Sequence, residues 1–420
     1  MQTDKKQSYT TSLILVGLLY FIFGFITWLN GTLIPFLKAV CQLNNFQSYF
    51  VTFAFFISYF VMALPSSAIL NKTGFKKGMS LGLLVMAGGA SLFIPAAMQR
   101  NYMLFLTGLF TEGLGLAILQ TAVNPYVTIL GPAESAASRI SMMGIANKAG
   151  GAIGTFYMAG VLLSGINDIN SKISTLTIES EKQDLLNELA SRIINPYIVV
   201  TVVFVLLALL IFKSPLPDVN DKEQNPDISD AVHPSIWQHT YLFFGVLAIF
   251  SYVGVEVMAG DTIISYGASM DMPTNITKSF TTYVLICMVV GYIMSIILTP
   301  KYMSQEMFLR ICTILGLVLV VGVLTTSGMT SIYFLASLGF AHAIMWPAIW
   351  PMSLKGLGKF TKTGSALLIM GIAGGAILPL LYGKMVDISG NRAAYWVMIP
   401  CYLYILFFAL AGHKIGYKKK

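Results

Sequence analysis

The feature that most constrains this chain is a series of apolar runs, each close to the length of one membrane-spanning helix. A helix needs roughly 20 predominantly apolar residues to cross the hydrocarbon core of a bilayer. The runs occupy residues 11–37, 46–70, 78–98, 102–130, 139–165, 194–213, 239–268, 276–299, 306–327, 329–354, 362–388 and 393–413. We therefore predict an all-α membrane protein with twelve transmembrane helices, embedded in the lipid bilayer.

The composition supports this prediction and excludes other classes of protein. Of the 420 residues, 56% are hydrophobic and only 10% are charged, whereas soluble domains usually carry about 25% charged residues. A water-soluble enzyme is therefore excluded. The net charge of +8 does not indicate a nucleic-acid partner, because the basic residues lie in short loops and in the tail at 418–420 rather than along one face.

The cysteines and histidines carry no signature of a metal site or a cofactor. The four cysteines are scattered without a CxxC pair, and the four histidines lack the HExxH spacing of zinc enzymes. We predict that the protein holds no metal and no cofactor. A membrane-embedded enzyme, such as an acyl or glycosyl transferase, would need a polar cluster of this kind, so we predict that the chain is not an enzyme.

The runs divide into two sets of six, separated by a segment rich in proline and in charges of both signs. Such a segment cannot bury enough apolar surface to fold alone. We predict an N-terminal six-helix bundle at 1–213, a cytoplasmic linker at 214–238 and a C-terminal six-helix bundle at 239–420. The polar segment at 166–193 predicts a short surface helix.

Two further patterns concern orientation and symmetry. With the N-terminus inside, the inner loops and tails hold roughly twice as many Lys and Arg residues as the outer loops, which predicts cytoplasmic N- and C-termini. The segment Met-Gly-Ile-Ala at 143–146 recurs at 370–373, and Asn124-Pro125 recurs as Trp350-Pro351 at nearly the same offset. We interpret this as a duplicated bundle with pseudo-two-fold symmetry, whose fourth and tenth spans break at these prolines. Chance recurrence in a Gly- and Ala-rich chain is the alternative.

Four charged residues fall well inside the predicted spans, away from the span ends, namely Glu112, Lys148, Glu256 and Asp261. A charge at bilayer depth costs at least about 2.5 kcal/mol on insertion scales, so such residues face a partner or a water-filled cavity. A structural ion pair would explain one of them, whereas four favour a polar pathway. The acids Glu112, Glu256 and Asp261 are the candidates for binding a coupling ion, either H⁺ or Na⁺.

Amides and indoles accompany these charges. Gln120 and Asn124 lie four residues apart on one helix face, and Asn147 directly precedes the intramembrane lysine. Asn30 follows Trp28 in the first span. In the tenth span, residues 342, 346 and 350 (His, Trp, Trp) recur every four residues, for which ordinary helix packing is the alternative.

This combination suits a sugar, because one face of a pyranose stacks on an indole while amides donate to and accept from its hydroxyl groups. An anionic substrate would need an arginine deep in the membrane, and the spans contain none away from their ends. An acid among aromatic side chains, such as Glu256 or Asp261 near Tyr252, could instead bind a cation. An exporter of cationic amphiphilic compounds is therefore the main alternative.

Several segments carry a resemblance to a known family: 27–35, 120–132, 144–148, 252–261 and 363–390. Over nearly its whole length, the sequence resembles the fucose permease and glucose/galactose transporter family of the major facilitator superfamily (MFS). The hexose transporters of Bacteroidetes-type bacteria are the most similar. The family places its substrate between two parallel duplicated halves, near the middle of the membrane.

The resemblance implies sugar transport by cation symport with alternating access, in the inner membrane of a bacterium, by a chain that functions as a monomer. The binding-site asparagine of the family is retained as Asn147. The acids that serve proton coupling in the fucose permeases are replaced by Gly31 and Gln120. That proton path therefore does not carry over, and coupling would use other groups.

We predict a secondary active transporter that imports a hexose, a glucose-, galactose- or fucose-like monosaccharide. A non-transporting membrane sugar sensor is a further alternative. The predicted substrate-binding residues are Trp28, Asn30, Gln120, Asn124, Asn147, Lys148, Trp346 and Trp350.

Overall fold

The computed structural model describes residues 2–129, 136–214, 235–299 and 301–417. Within these ranges the regular structure is helical, as predicted. Most of the predicted linker, residues 215–234, lies outside the described residues. We use "N-terminal half" for the helices before this gap and "C-terminal half" for those after it.

The N-terminal half contains nine α-helices within the described residues. They are α1 (Gln2–Thr27), α2 (Asn30–Val40), α3 (Asn45–Ser48), α4 (Phe50–Gln99), α5 (Tyr102–Ile129), α6 (Ala136–Leu162), α7 (Ile166–Thr175), α8 (Glu179–Ser191) and α9 (Ile194–Lys213). The polar segment at 166–193 forms α7 and α8, so the expected surface helix is present as two helices.

The C-terminal half contains ten α-helices in the part that the structure describes. They are α10 (Thr240–Ala268), α11 (Thr274–Thr277), α12 (Phe280–Leu298), α13 (Gln305–Thr325), α14 (Gly328–His342), α15 (Met345–Leu354), α16 (Thr361–Met370), α17 (Gly374–Ser389), α18 (Asn391–Ala394) and α19 (Met398–Leu410). Short 3₁₀ helices lie at Ile236–Gln238, Gly358–Phe360, Gly371–Ala373, Tyr395–Val397 and Gly412–Lys414.

Eleven segments of the described chain are long and apolar enough to cross a membrane. One of them, α4, has 50 residues and joins the predicted spans 46–70 and 78–98. Gly74 has a φ of 74° at the junction, a left-handed conformation that glycine adopts without steric cost. The expected loop is therefore a turn inside α4, and the twelve predicted spans are accounted for.

The positions of the helix breaks differ from the prediction. The fourth span does not break at Asn124-Pro125, because α5 continues to Ile129. The tenth span breaks at 343–344 and not at Pro351, which lies inside α15. Pro347 explains this position, because its nitrogen cannot donate a hydrogen bond to the carbonyl four residues earlier. The first span, predicted as continuous, breaks at 28–29.

The first and fifth spans of each half pack with their backbones unusually close. A Cβ on Gly24 of α1 would lie 1.6 Å from the carbonyl oxygen of Asn147 on α6. In the C-terminal half, a Cβ on Gly374 of α17 would lie 1.8 Å from the carbonyl oxygen of Phe250 on α10. Both crossings require glycine, and they occupy corresponding places in the two halves.

The helix bundle has two ends, on opposite sides of the predicted membrane. The start of α1 and the end of α19 lie at one end, which we call the termini end. The opposite end, which we call the far end, contains the segment 41–44, helices α7, α8 and α11, and the junction of α17 with α18.

Candidate functional site

Trp28 lies at the break between α1 and α2, in the contact between the two halves. Its indole is 3% exposed, and it packs where glycines leave room: Cβ atoms on Gly151 of α6 and Gly260 of α10 would lie 2.4 and 2.2 Å from the ring. Its carbonyl oxygen accepts a hydrogen bond from Thr155 at 3.1 Å. Within the described residues, its Nε1 donor has no hydrogen-bond partner, so a buried donor is left for a ligand.

An ion pair joins the two halves beside this indole. Lys148 Nζ on α6 donates to Glu256 Oε1 on α10 at 3.0 Å, and both side chains are nearly buried. The same Nζ lies 4.6 Å from the centroid of the Trp28 ring, within cation–π range. A buried ion pair is weak support for stability, because desolvation offsets the attraction between the charges. Its presence at this depth therefore points to a functional role.

Asp261 also reaches the N-terminal half, through different partners. Its Oδ2 accepts a hydrogen bond from Thr52 on α4 at 3.3 Å, and its side chain is buried. A Cβ on Gly31 of α2 would lie 3.2 Å from the Asp261 Cα, so the two backbones are in contact here. Both acids of α10 thus bind the opposite half. Asp261 has no basic partner within the described chain, whereas Glu256 has Lys148.

The predicted amides form a second group, toward the termini end. Tyr20 donates to Asn124 Oδ1 at 2.6 Å, and Gln120 donates to the Tyr59 hydroxyl at 3.1 Å. The Asn147 amide donates to the Tyr20 carbonyl at 3.3 Å. These amides are half-buried, whereas Asp261 and the ion pair are buried.

The tryptophans of the tenth span belong to the C-terminal half and are also half-buried. Trp346 and Trp350 stack with centroids 5.0 Å apart, and the Tyr252 ring lies 6.4 Å from Trp346. The predicted stripe is interrupted after His342, because the helix breaks there. His342 is buried and contacts the Tyr402 hydroxyl through Nε2 at 2.6 Å.

Two of the predicted site residues lie apart from these groups. Glu112 is buried where α5 crosses α4 at Gly89, inside the N-terminal half, and its Oε1 has no partner within the described residues. Asn30 is buried and donates to the carbonyl of Thr27 on its own chain segment at 3.4 Å. The other predicted residues lie in or beside the ion-pair region and the amide group, as do both acids of α10.

Sequence reasoning named Tyr252 only for the cation-binding alternative, and it missed Tyr20, Tyr59 and Thr52. Tyr252 precedes Glu256 by four residues, and Tyr20 precedes Trp28 by eight, so each lies on the same helix face as a predicted residue. These spacings could have identified them. Thr52 carried no such signal, because threonine is common in membrane helices and hydrogen-bonds the backbone of its own helix.

The far end of the contact between the halves is closed. Asp387 on α17 accepts hydrogen bonds from the Asn45 side chain at 2.7 Å and from the Phe46 backbone at 3.0 Å. The rings of Tyr49 and Tyr382 meet edge to face with centroids 5.5 Å apart. The hydrogen bonds between the halves that are described above, from Lys148–Glu256 to the Asp387 contacts, are found between the middle of the helices and the far end.

These features define a class of protein. Two sets of membrane-length helices hold paired charges, amides and indoles between them at mid-membrane depth, which is the arrangement of a secondary transporter. The chain belongs to the Major Facilitator Superfamily, whose family model matches residues 16–373. The predicted fold class and family are therefore confirmed.

Relatives with curated names support the same class. The chain is 35% identical over 420 residues to a "Glucose/galactose transporter" of Brucella abortus, covering 98% of this chain and 97% of that protein. It is 28% identical over 419 residues to the "L-fucose-proton symporter" of Escherichia coli, covering 96% and 94% of the two chains. These relatives are named as transporters and not as enzymes, as predicted.

A solved structure agrees with the fold. The crystal structure of the MFS transporter FucP in the outward conformation matches with a TM-score of 0.73 and 26% identity, covering 98% of this chain and 100% of that chain.

Proposed function

We propose that this chain imports a hexose across the cytoplasmic membrane of a bacterium, by symport with a cation, and that the cation is H⁺. The names of the relatives, a glucose/galactose transporter and an L-fucose-proton symporter, support both the substrate class and the ion. The proposed moving units are the bundles 1–213 and 239–420, joined by the cytoplasmic linker 214–238, and the proposed functional unit is one chain.

The observation that carries the proposal is the buried Lys148–Glu256 pair with the Trp28 indole against it. It combines an aromatic face, a donor without a partner in the described chain and two charges at the junction of the halves. A pyranose offers C–H groups for the indole and hydroxyls for the polar atoms. Any ligand bound here contacts both halves, as alternating access requires.

The sugar site would extend from this pair toward the termini end. Gln120, Asn124 and Asn147 line the N-terminal side of this region, and Trp346 and Trp350 line the C-terminal side. Each amide already holds one hydrogen bond and retains further donors and acceptors for hydroxyl groups.

Asp261 is the proposed site of the coupling proton. Its carboxylate is buried, and hydroxyl and backbone groups surround it without a basic partner in the described chain. Burial of an uncompensated negative charge is costly, so proton binding favours the closed contact with Thr52. Loss of the proton would favour separation of the halves at the far end. The proton would thereby bias the same equilibrium as the sugar, which coupling requires.

The distribution of Lys and Arg supports an orientation in which the termini end is cytoplasmic. The far end would then be periplasmic, and the described structure would be closed to the periplasm. This assignment makes Asp261 and the Asp387 contacts part of the outer gate.

The alternative of an exporter of cationic amphiphiles fits the site less well. Such a substrate would need an acid that is free to neutralise its charge and that it can reach. Glu256 is already paired with Lys148 at 3.0 Å, so an incoming cation would have to displace a buried lysine. Asp261 has no basic partner in the described chain, but it is buried in the contact between the halves, against Thr52 and the backbone at Gly31.

Counterflow of radiolabelled D-glucose, D-galactose and L-fucose in proteoliposomes tests the transport activity. We expect saturable counterflow of at least one hexose and accumulation driven by an inward proton gradient. Absence of hexose counterflow, with export of a cationic dye instead, would overturn the proposal.

Asp261→Asn tests the coupling. This variant mimics the protonated side chain and keeps its hydrogen bonds, so we expect it to retain counterflow but to lose accumulation against a gradient. Accumulation driven by Na⁺ in the wild type, or proton-driven accumulation in Asp261→Asn, would contradict the assignment of H⁺ to this residue.

A further inference from the structure

A cavity of about 420 Å³, lined by both polar and apolar side chains, lies at the far end, between the two halves. The N-terminal half contributes the end of α2, the segment that follows it and the surface helix α7. The C-terminal half contributes the end of α10, helix α11 and Asn391 of α18. The volume falls within the range of about 300–1,000 Å³ that is typical of small-molecule sites.

Apart from one lysine, the polar side chains in the lining are uncharged hydrogen-bonding groups. Asn167 and Asn170 face the cavity from α7, and Asn391 faces it from the opposite half. Hydroxyl groups from serines and threonines at 265–277 complete the wall. In the part of the chain that the structure describes, these three asparagine side chains have no protein hydrogen-bond partner, so they remain available to a ligand.

The single ionisable residue among the described lining residues is already engaged. Lys38 Nζ donates to Asn45 Oδ1 at 2.5 Å, and the Asn45 amide in turn donates to Asp387 at 2.7 Å. The lysine charge is thus held within the network that closes the far end. Among the described residues, the cavity therefore offers neither a free cation nor an acid, which favours an uncharged ligand.

The cavity stands directly above the contact between the halves. Pro35 and Ser265 belong to its lining, and each lies four residues, one helical turn, beyond Gly31 and Asp261. The Gly31–Asp261 contact therefore lies between a molecule bound here and the Trp28 region.

We infer that this far-end cavity is a second binding site, which takes an uncharged polyhydroxylated molecule of the monosaccharide class while the contact below it is closed. Asparagine amides on both walls bind its hydroxyl groups. This inference rests on the proposed function and deepens it, because the cavity captures the sugar on the path to the central site. Two sugar molecules then bind one chain.

Thiol protection tests this site directly. In a Cys41→Ser background, Asn170→Cys is treated with a membrane-impermeant thiol reagent applied from the far-end side. We expect D-glucose, D-galactose or L-fucose, whichever is transported, to slow the modification. Ser171→Cys is the matched control, because this position is exposed on the same helix and lies outside the lining; sugar should leave its modification unchanged.

Repeating the measurement with Gln120→Ala added distinguishes binding in the cavity from binding at the sugar site proposed beside Trp28 and Lys148. Protection of the thiol introduced by Asn170→Cys should persist when counterflow is lost. Protection that disappears with Gln120→Ala, or that is absent while the wild type shows counterflow, would overturn the inference and leave the proposed function standing. If a hexose protects the thiol introduced by Asn170→Cys but the wild type shows no hexose counterflow, the result would support the cavity site and overturn the transport proposal.

A space-filling variant gives a second readout. Asn170→Trp should raise the KM for hexose entry roughly five- to tenfold, as expected for the loss of one or two hydrogen bonds, with the maximal rate unchanged. Ser171→Trp should have no such effect. Equal KM values for the two variants would count against the second site.

Discussion

The two halves of this protein use corresponding helices for different purposes. On the fifth span of the N-terminal half, Asn147 meets Gly24, and the next residue, Lys148, crosses to Glu256 in the other half. On the fifth span of the C-terminal half, Gly374 meets Phe250, and the next residue, Gly375, would place a Cβ 3.1 Å from Phe56 of the other half. One span presents a charge to its partner, and the other presents a surface without a side chain.

The comparison shows which part of the duplicated architecture is shared by the two halves and which part differs. The backbone crossing is kept in both halves, because each requires a glycine on one of its two helices. The next position differs between the halves, and in both it faces the opposite half and not the crossing helix. In the N-terminal half, Lys148 forms an ion pair there with Glu256, and in the C-terminal half, Gly375 packs without a side chain against Phe56.

The largest effect is expected from breaking the shared crossing. Gly24→Ala and Gly374→Ala would each place a Cβ within 2 Å of a backbone oxygen, at 1.6 and 1.8 Å. Overpacking against side chains costs about 1–3 kcal/mol, and a backbone contact cannot relax as a side chain can. We expect both variants to express poorly and to melt at a lower temperature.

Gly160→Ala on α6 and Gly88→Ala on α4 are the matched controls, because nothing lies within 4 Å of the added Cβ. They should retain wild-type melting temperatures. If Gly24→Ala were harmless and Gly374→Ala were not, the two crossings would not be equivalent.

The second-largest effect is expected from breaking the Lys148–Glu256 ion pair. Lys148→Met leaves the Glu256 carboxylate buried without its partner, which costs about 3–5 kcal/mol. We expect loss of hexose counterflow and a lower melting temperature. The double variant Lys148→Met/Glu256→Gln removes the unpaired charge, so it should recover stability without recovering counterflow.

Lys384→Met is the control, because this lysine is exposed on α17 and its neighbour is the ring of Phe46. Its removal should change neither readout. Full counterflow in the double variant would show that the pair serves the structure and not the substrate.

The smallest effect concerns the far-end contact on the C-terminal side. Asp387→Asn weakens the bonds to Asn45 and Phe46, and because these groups are exposed, the expected change is about 0.2–1 kcal/mol. We expect a modest shift toward the state that is open at the far end. Faster modification of Ser48→Cys by an impermeant thiol reagent, in a Cys41→Ser background, would measure it.

Ser389→Ala, on the same helix, is the control for Asp387→Asn. Its hydroxyl bonds only the preceding turn through Met385, so labelling of the thiol introduced by Ser48→Cys should be unchanged. Slower labelling in Asp387→Asn would mean that this carboxylate opposes closure.

Particular residues show how far the sequence carried the prediction of the site. Glu256 and Asp261 were predicted to be functional from their depth in an apolar run, and both lie at the contact between the halves. Glu112 was predicted on the same ground, yet it lies inside one half. Depth in the membrane follows from position along the chain, whereas the direction in which a side chain points depends on how its helix is rotated against its neighbours.

The partner of Lys148 illustrates the same limit. The sequence contained three intramembrane acids, and the spacing along the chain did not distinguish between them as partners of the lysine. The choice of Glu256 required the packing of α6 against the C-terminal half. The break after His342 likewise separated a stripe that had looked continuous, because Pro347 removes a backbone donor.

The sequence alone determined that the chain is helical, that it crosses the membrane twelve times and that its halves are related, because each of these follows from hydrophobic length, charge distribution and local repetition. Only the tertiary structure decided which polar groups meet across the halves and which remain inside one of them. Those contacts depend on helix rotation and on close backbone approaches at glycines such as Gly24 and Gly374, where residues more than a hundred positions apart meet. No local pattern in the sequence encodes such contacts.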